Sequence, residues 1–163
     1  IWKPGFEVLE RRRATLYGLH RSLCIRSWVH RGTRENPGLV LGLDNGGACS
    51  GIAMKAPGAM RDEIIDYLRE RELVTAVYLE CWRKVVIPET GETVSALVYR
   101  ADRKHEQYAK GLSLDVQTQI VANAQGGSGP NDEYVSSTVK AMREVGIRDS
   151  GLEYINSQLE KLR

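Results

Sequence analysis

The spacing of apolar residues divides the chain into a first half patterned for strands and a second half patterned for helices. Residues 14–25 alternate weakly and predict one or two strands. Residues 39–43 and 48–56 read as strands flanking Asp44-Asn45-Gly46-Gly47, where Asn-Gly is a strong hairpin signal. Further strands are expected at 74–81, 85–87 and 94–100, the last two joined by the turn Glu89-Thr90-Gly91-Glu92. A helix is expected at 60–72. In the second half, a helix at 114–124 has a possible cap at Ser113, and another at 131–145 follows Pro130 and stops at Gly146. A last helix begins at Ser150, with Glu153 completing a capping box, and ends in Lys161 and Arg163. Strands with one helix inserted, then trailing helices, predict an α+β fold: a small mixed or antiparallel β-barrel with surrounding helices, in a single domain spanning 1–163.

The inserted helix carries the most telling residue. Wound at about 100° per residue, 60–72 gathers Met60, Ile64, Ile65, Tyr67 and Leu68 on one face and Asp62, Glu63, Asp66, Arg69 and Glu70 on the other. Glu72 falls four residues after Leu68 and seven after Ile65, on the apolar stripe. A carboxylate facing a core or cleft is costly unless it is paired or functional. The competing reading is a helix already frayed at Arg71 and Glu72, with both side chains in water.

Charge and cysteines narrow the possibilities. The net charge is +2, but the first 36 residues hold eight basic side chains against three acidic ones. Such a face can hold phosphates or carboxylates. It lacks the interleaved aromatics of a base-stacking surface, so no nucleic-acid partner is expected. No apolar run approaches the roughly 20 residues of a membrane helix, so no membrane partner is expected either. Cys24, Cys49 and Cys81 lie far apart in strand-like contexts. They read as reduced, buried thiols of a cytoplasmic protein. No coiled-coil seam is present, and a monomer is expected.

Candidate chemistry is sparse. His20, His30 and His105 are scattered, and neither zinc-ligand spacing nor a Gly-x-Ser-x-Gly elbow occurs, so no metal site is expected. Gly126-Gly127-Ser128-Gly129-Pro130 precedes a helix but lacks a P-loop lysine; it reads as a helix-to-helix turn with proline at the first helical position. Arg31, in His30-Arg31-Gly32, either satisfies loop carbonyls or clamps a carboxylate. A lone carboxylate without metal or cofactor suits a reaction whose substrate carries its own nucleophile.

An ordered set of motifs then points to a family. Ile1-Trp2-Lys3-Pro4-Gly5-Phe6, Glu10-Arg11-Arg12-Arg13-Ala14, Tyr17-Gly18, His20-Arg21-Ser22 and His30-Arg31-Gly32-Thr33 closely resemble the ChaC-type γ-glutamylcyclotransferases. So do Pro37-Gly38-Leu39-Val40-Leu41-Gly42-Leu43, Cys49-Ser50-Gly51-Ile52-Ala53, Tyr67-Leu68 and Arg71-Glu72. The likeness continues through Ala101-Asp102-Arg103, Gln107-Tyr108, Ser128-Gly129-Pro130-Asn131 and Tyr134 to Gly146-Ile147-Arg148-Asp149, covering nearly the whole chain.

This resemblance implies a compact α+β barrel that cleaves glutathione into 5-oxoproline and cysteinylglycine without metal or cofactor. It places the catalytic glutamate on Glu72, and it implies substrate contacts from Ile1, Trp2, Arg31 and Tyr134. For Tyr134, a helix residue packed on the sheet is the alternative. The family's Tyr-Gly-Ser-Leu loop, which holds the γ-glutamyl group through backbone N–H groups, would lie directly before Ile1, where this sequence opens. A chain without that loop would be a non-catalytic binder of γ-glutamyl compounds in the same fold.

Overall fold

A computed structural model describes residues 4–162. Four strands, β1 (Glu10–Ser27), β2 (Gly38–Lys55), β3 (Tyr78–Val86) and β4 (Thr93–Ala101), form a closed barrel in the order β1-β2-β4-β3. The pairing is mixed. β1 runs antiparallel to β3 through Thr15–Val86 and Leu16–Val85, and β3 runs antiparallel to β4 from Tyr78–Ala101 to Val86–Thr93. β2 meets β4 in parallel at Leu43–Arg100. The expected α+β barrel is thus observed.

The chain resolves into two compact units, each with its own core. The first comprises the N-terminal segment as far as Arg21 together with Leu43–Asp102. Its core is Ala14, Leu16, Leu19, Val85 and Ile87, with Leu43, Cys49, Ala53, Val94, Ala96 and Val98 packed against it. The buried parity changes between Leu16 and Leu19. Gly18 adopts φ +83°, and the irregularity moves the inward face along by one residue.

The unit's helix, α1 (Arg61–Glu72), follows a short 3₁₀ turn at Gly58–Met60 and buries Ile64 and Leu68. The turn from β3 to β4 is closed by Ile87 N donating to Glu92 O at 2.8 Å.

Two expectations need correction here. Asp44-Asn45-Gly46-Gly47 is not a hairpin, because β2 runs through it as one strand. Gly46 and Gly47 take φ +94° and +64°, and His20 Nδ1 sits 3.1 Å from Gly46 O. The glycines accommodate an irregularity within the strand rather than reversing it. The strands expected at 74–81 and 85–87 are one strand, β3, and residues 73–76 form a turn in which Ala76 has φ +54°.

The second unit comprises Ser22–Gly42 with the chain from Arg103 onward. Helices α2 (Leu114–Asn123), α3 (Asn131–Glu144) and α4 (Ser150–Lys161) pack on one another. They enclose Leu23, Leu39, Ala109, Val121, Val135, Val139, Leu152, Ile155 and Leu159. Ser113 caps α2, accepting from Val116 N, and Gly146 at φ +67° ends α3 as expected. The cap of α4 lies one residue earlier than predicted. Asp149 accepts from Leu152 N, and Glu153 instead pairs with Arg143 and Arg148. Between α2 and α3, β5 (Gln125–Gly126) and β6 (Gly129–Pro130) form a small hairpin. Pro130 is the N-cap residue of α3, not its first helical residue. Among the described residues, no helix is long and apolar enough to cross a membrane.

Candidate active site

In the first unit, α1 persists through Glu72, and Leu73 N donates to Arg69 O at 3.0 Å to close the last turn. The helix has not frayed at Glu72. Its side chain is 22% exposed, whereas Glu70 is exposed, the same distinction between the two acids that the periodicity draws. Arg71 Nε lies 3.3 Å from Glu72 Oε1, and Arg71 Nη1 donates to Pro4 O at 3.2 Å. The N-terminal segment is held again by Phe6, whose ring meets Tyr67 edge-on at 6.5 Å. Thus α1 presents a half-buried carboxylate with a guanidinium beside it. Ile1 and Trp2 lie outside the described residues.

A second carboxylate stands near the same helix. Arg69 Nε and Nη2 each reach a Glu80 oxygen at 2.9 Å, and Arg69 Nη1 reaches Asp66 at 3.3 Å. Tyr99 Oη donates to Glu80 Oε2 at 3.4 Å. These hydrogen bonds hold the Glu80 carboxyl below the usual carboxylate range and push the Arg69 guanidinium up. Burial, reinforced by the Glu80 charge and hydrogen bond and then by the Glu72 charge, pushes the Tyr99 phenol up to about 12. The phenol is therefore a hydrogen donor across the physiological range.

Sequence reasoning missed Arg69, Glu80 and Tyr99. The signal lay in the register: Glu80 and Tyr99 are direct partners on β3 and β4. Reading 74–81 and 85–87 as separate strands hides that relationship.

In the second unit the structure brings Arg31 and Tyr134 together. Arg31 Nη1 donates to Pro130 O at 3.1 Å, and its guanidinium carbon stands 5.4 Å from the centre of the Tyr134 ring. Arg31 does satisfy a loop carbonyl. Tyr134 packs against the helical core, and its hydroxyl accepts from Leu41 N at 3.2 Å; burial pushes its phenol up.

The segment around Arg31 is fastened by backbone bonds. Gly127 N donates to Val29 O and Ser128 N to His30 O, so these two amides are engaged by carbonyls rather than aimed at an anion. His30 Nδ1 adds a contact to Ser128 Oγ at 3.0 Å. Glu72 belongs to the first unit, Arg31 and Tyr134 to the second. Of the cysteines, Cys24 is buried as expected, but Cys49 and Cys81 are half-buried; all three are thiols. Each half-buried position lies on a barrel strand whose neighbours leave it partly open.

Comparison with known proteins is consistent across sequence and fold. A glutathione-specific γ-glutamylcyclotransferase of Escherichia coli (strain K12) is 32% identical over 99% of this chain and 70% of its own length. Glutathione-specific γ-glutamylcyclotransferase 1 of Danio rerio is 31% identical over 88% of this chain and 74% of its own length. A crystal structure of the yeast γ-glutamylcyclotransferase specific to glutathione superposes with a TM-score of 0.84. It covers 99% of this chain and 92% of that one at 20% identity, a likeness of fold. A family model described as ChaC-like protein matches residues 1–162, and the chain belongs to that family.

Proposed function

We propose that this protein is a glutathione-specific γ-glutamylcyclotransferase with Glu72 as its acid/base. One observation carries the reading: the last residue of α1 is a half-buried carboxylate on the stripe of Ile64 and Leu68, paired with Arg71. The names of the Escherichia coli and Danio rerio relatives support the substrate.

The reaction is an internal acyl transfer. The α-amino nitrogen of glutathione attacks its own γ-amide carbonyl carbon. A new C–N bond closes the five-membered ring of 5-oxoproline, and the amide bond to cysteine breaks. Glu72 takes a proton from the attacking nitrogen and returns it to the departing cysteinyl nitrogen, so no proton is gained or lost overall. A free α-amine has a pKa near 8, so this proton transfer is a modest task at neutral pH. Most of the work is geometric: holding amine and carbonyl at attack distance supplies roughly 7–11 kcal/mol of the barrier.

Arg31 and Tyr134 fit as substrate contacts on chemical grounds. A guanidinium grips a carboxylate, and the hydroxyl that accepts from Leu41 N still has a proton to donate. An odd number of thiols suits a reducing compartment, and the reading includes a cytoplasmic monomer.

The test is incubation of the intact protein with reduced glutathione, followed by mass spectrometry for 5-oxoproline. Product is expected from the wild type and a loss of about 10²–10⁴-fold in Glu72→Gln. Equal turnover in a folded Glu72→Gln protein would remove Glu72 from the mechanism. A wild-type protein that binds glutathione without product would remove the catalytic reading altogether.

A further inference from the structure

Beyond Glu72 the chain enters a largely exposed turn, closed by Ala76 N donating to Leu73 O at 3.1 Å. Val74 is 78% exposed, and Ala76 adopts a left-handed φ of +54°. Within the last turn of α1, the side chains of Arg69 and Arg71 reach other parts of the unit, Glu80 and Pro4. We propose that Tyr99 and Glu80 form, with Arg69, a positioning device that holds the end of α1 on the barrel and thereby fixes the orientation of Glu72. The inference rests on the reading of Glu72 as the acid/base.

Three elements meet in it. Glu80 on β3 and Tyr99 on β4 are direct partners in an antiparallel register. Partners of this kind have Cβ atoms roughly 5 Å apart, so their side chains rise together from one face of the sheet. Tyr99 Oη reaches Glu80 Oε2 at 3.4 Å, and both Glu80 oxygens are gripped by Arg69 at 2.9 Å. A two-point grip on a carboxylate fixes direction as well as distance, which a single ion pair does not.

Arg69 also acts through its backbone: its carbonyl accepts from Leu73 N, the bond that closes the turn containing Glu72. One residue therefore ties the sheet to the turn. Tyr99 serves as the fixed stop for Glu80, since it is a neutral hydrogen donor with its ring on the barrel. In this scheme it acts through Glu80 and Arg69.

Such a device governs the orientation of the acid/base more than affinity for substrate. Tyr99→Phe keeps the ring and removes only the hydroxyl, so it separates positioning from packing. Wild type, Tyr99→Phe, Glu80→Gln, the double variant and Glu72→Gln would be assayed for 5-oxoproline release, with kcat and KM determined separately and folding followed by thermal unfolding.

Tyr99→Phe should lower kcat about tenfold with KM within about twofold, because small misplacements of a reacting group are costly. Adding Tyr99→Phe to Glu80→Gln should cost nothing further, since the two act as one path. Wild-type kcat in Tyr99→Phe, losses that multiply in the double variant, or a loss explained by the unfolded fraction would each overturn the positioning role. Full turnover in Glu72→Gln would instead overturn the acid/base reading. An inactive Glu72→Gln beside a normal Tyr99→Phe would overturn the positioning role alone.

Discussion

Arg71 joins Glu72 to the N-terminal segment: its Nε lies 3.3 Å from the Glu72 carboxylate while its Nη1 donates to the carbonyl of Pro4 at 3.2 Å. The two contacts give one guanidinium two tasks, to face the proposed acid/base and to hold the chain that leads into β1. Arg71→Met should therefore lower kcat/KM for 5-oxoproline formation about tenfold and speed proteolytic cleavage ahead of Leu9. Arg71→Lys keeps the charge but loses the fork that reaches both partners, so it should recover only part of the activity. Steady-state kinetics and limited proteolysis on the same samples check both tasks. Unchanged kinetics with faster cleavage would leave only the fastening.

Asn131 is completely buried and spans both backbone groups of Leu39, accepting from its N at 2.6 Å and donating to its O at 2.8 Å. Asn131→Ala strips partners from two buried polar groups, each worth about 1–3 kcal/mol when left unsatisfied. A loss of about 3 kcal/mol in unfolding free energy is expected, read from the denaturant midpoint at unchanged slope. A shift within experimental error would show that water replaces the side chain.

What is legible in the sequence and what is hidden follow from the range of the interactions. α1 is legible because a period of 3.6 residues is written locally, and the same period places Glu72 on the buried stripe. The barrel as a class is legible from strand patterning, but its continuity is not. Asn45-Gly46 carries the local signature of a turn, yet the closed order β1-β2-β4-β3 requires one long β2, and closure overrides the local signal. The Arg69–Glu80–Tyr99 network is hidden for a related reason, since a register appears only when whole strands are paired. The cap of α4 is displaced because Asp149 and Ser150 are both good caps and periodicity does not choose between neighbours.

Gly126 has no room for a side chain. A Cβ there would meet Gly32 N at 2.5 Å and both the carbonyl carbon and oxygen of His30 at 2.6 Å, all backbone atoms. No rotamer change relieves such contacts, so the strands and loop must part. Gly126→Ala should cost more than about 2 kcal/mol. Gly51→Ala, at a position with nothing within 4 Å of the added carbon, should stay within about 0.5 kcal/mol of wild type. Denaturant titration of the two variants side by side is the check. Equal effects would mean that the close approach of Gly126 to His30 and Gly32 is not maintained in solution.

The pH dependence of stability should be set at the acid end by two arginine-held carboxylates. Hydrogen bonds from Arg69 hold Glu80 below the usual carboxylate range, and hydrogen bonds from Arg143, then the charges of Arg143 and Arg148, do the same for Glu153. In the unfolded chain both acids return to their ordinary values near 4. Below that pH the unfolded state binds protons that the folded state does not, so unfolding is favoured as pH falls. Their stabilisation is complete above the ordinary carboxylate range and is lost as pH drops through the lowered folded values. The melting temperature should therefore be nearly flat from pH 7 to about 5 and decline below about 4. Arg143→Met removes the cause of the Glu153 shift and should make the decline shallower. Added salt should act in the same direction, because both pairs are reached by solvent. A decline equally steep in wild type and Arg143→Met would assign the acid sensitivity to Glu80 or to other carboxylates, and Arg69→Met would then decide between those two.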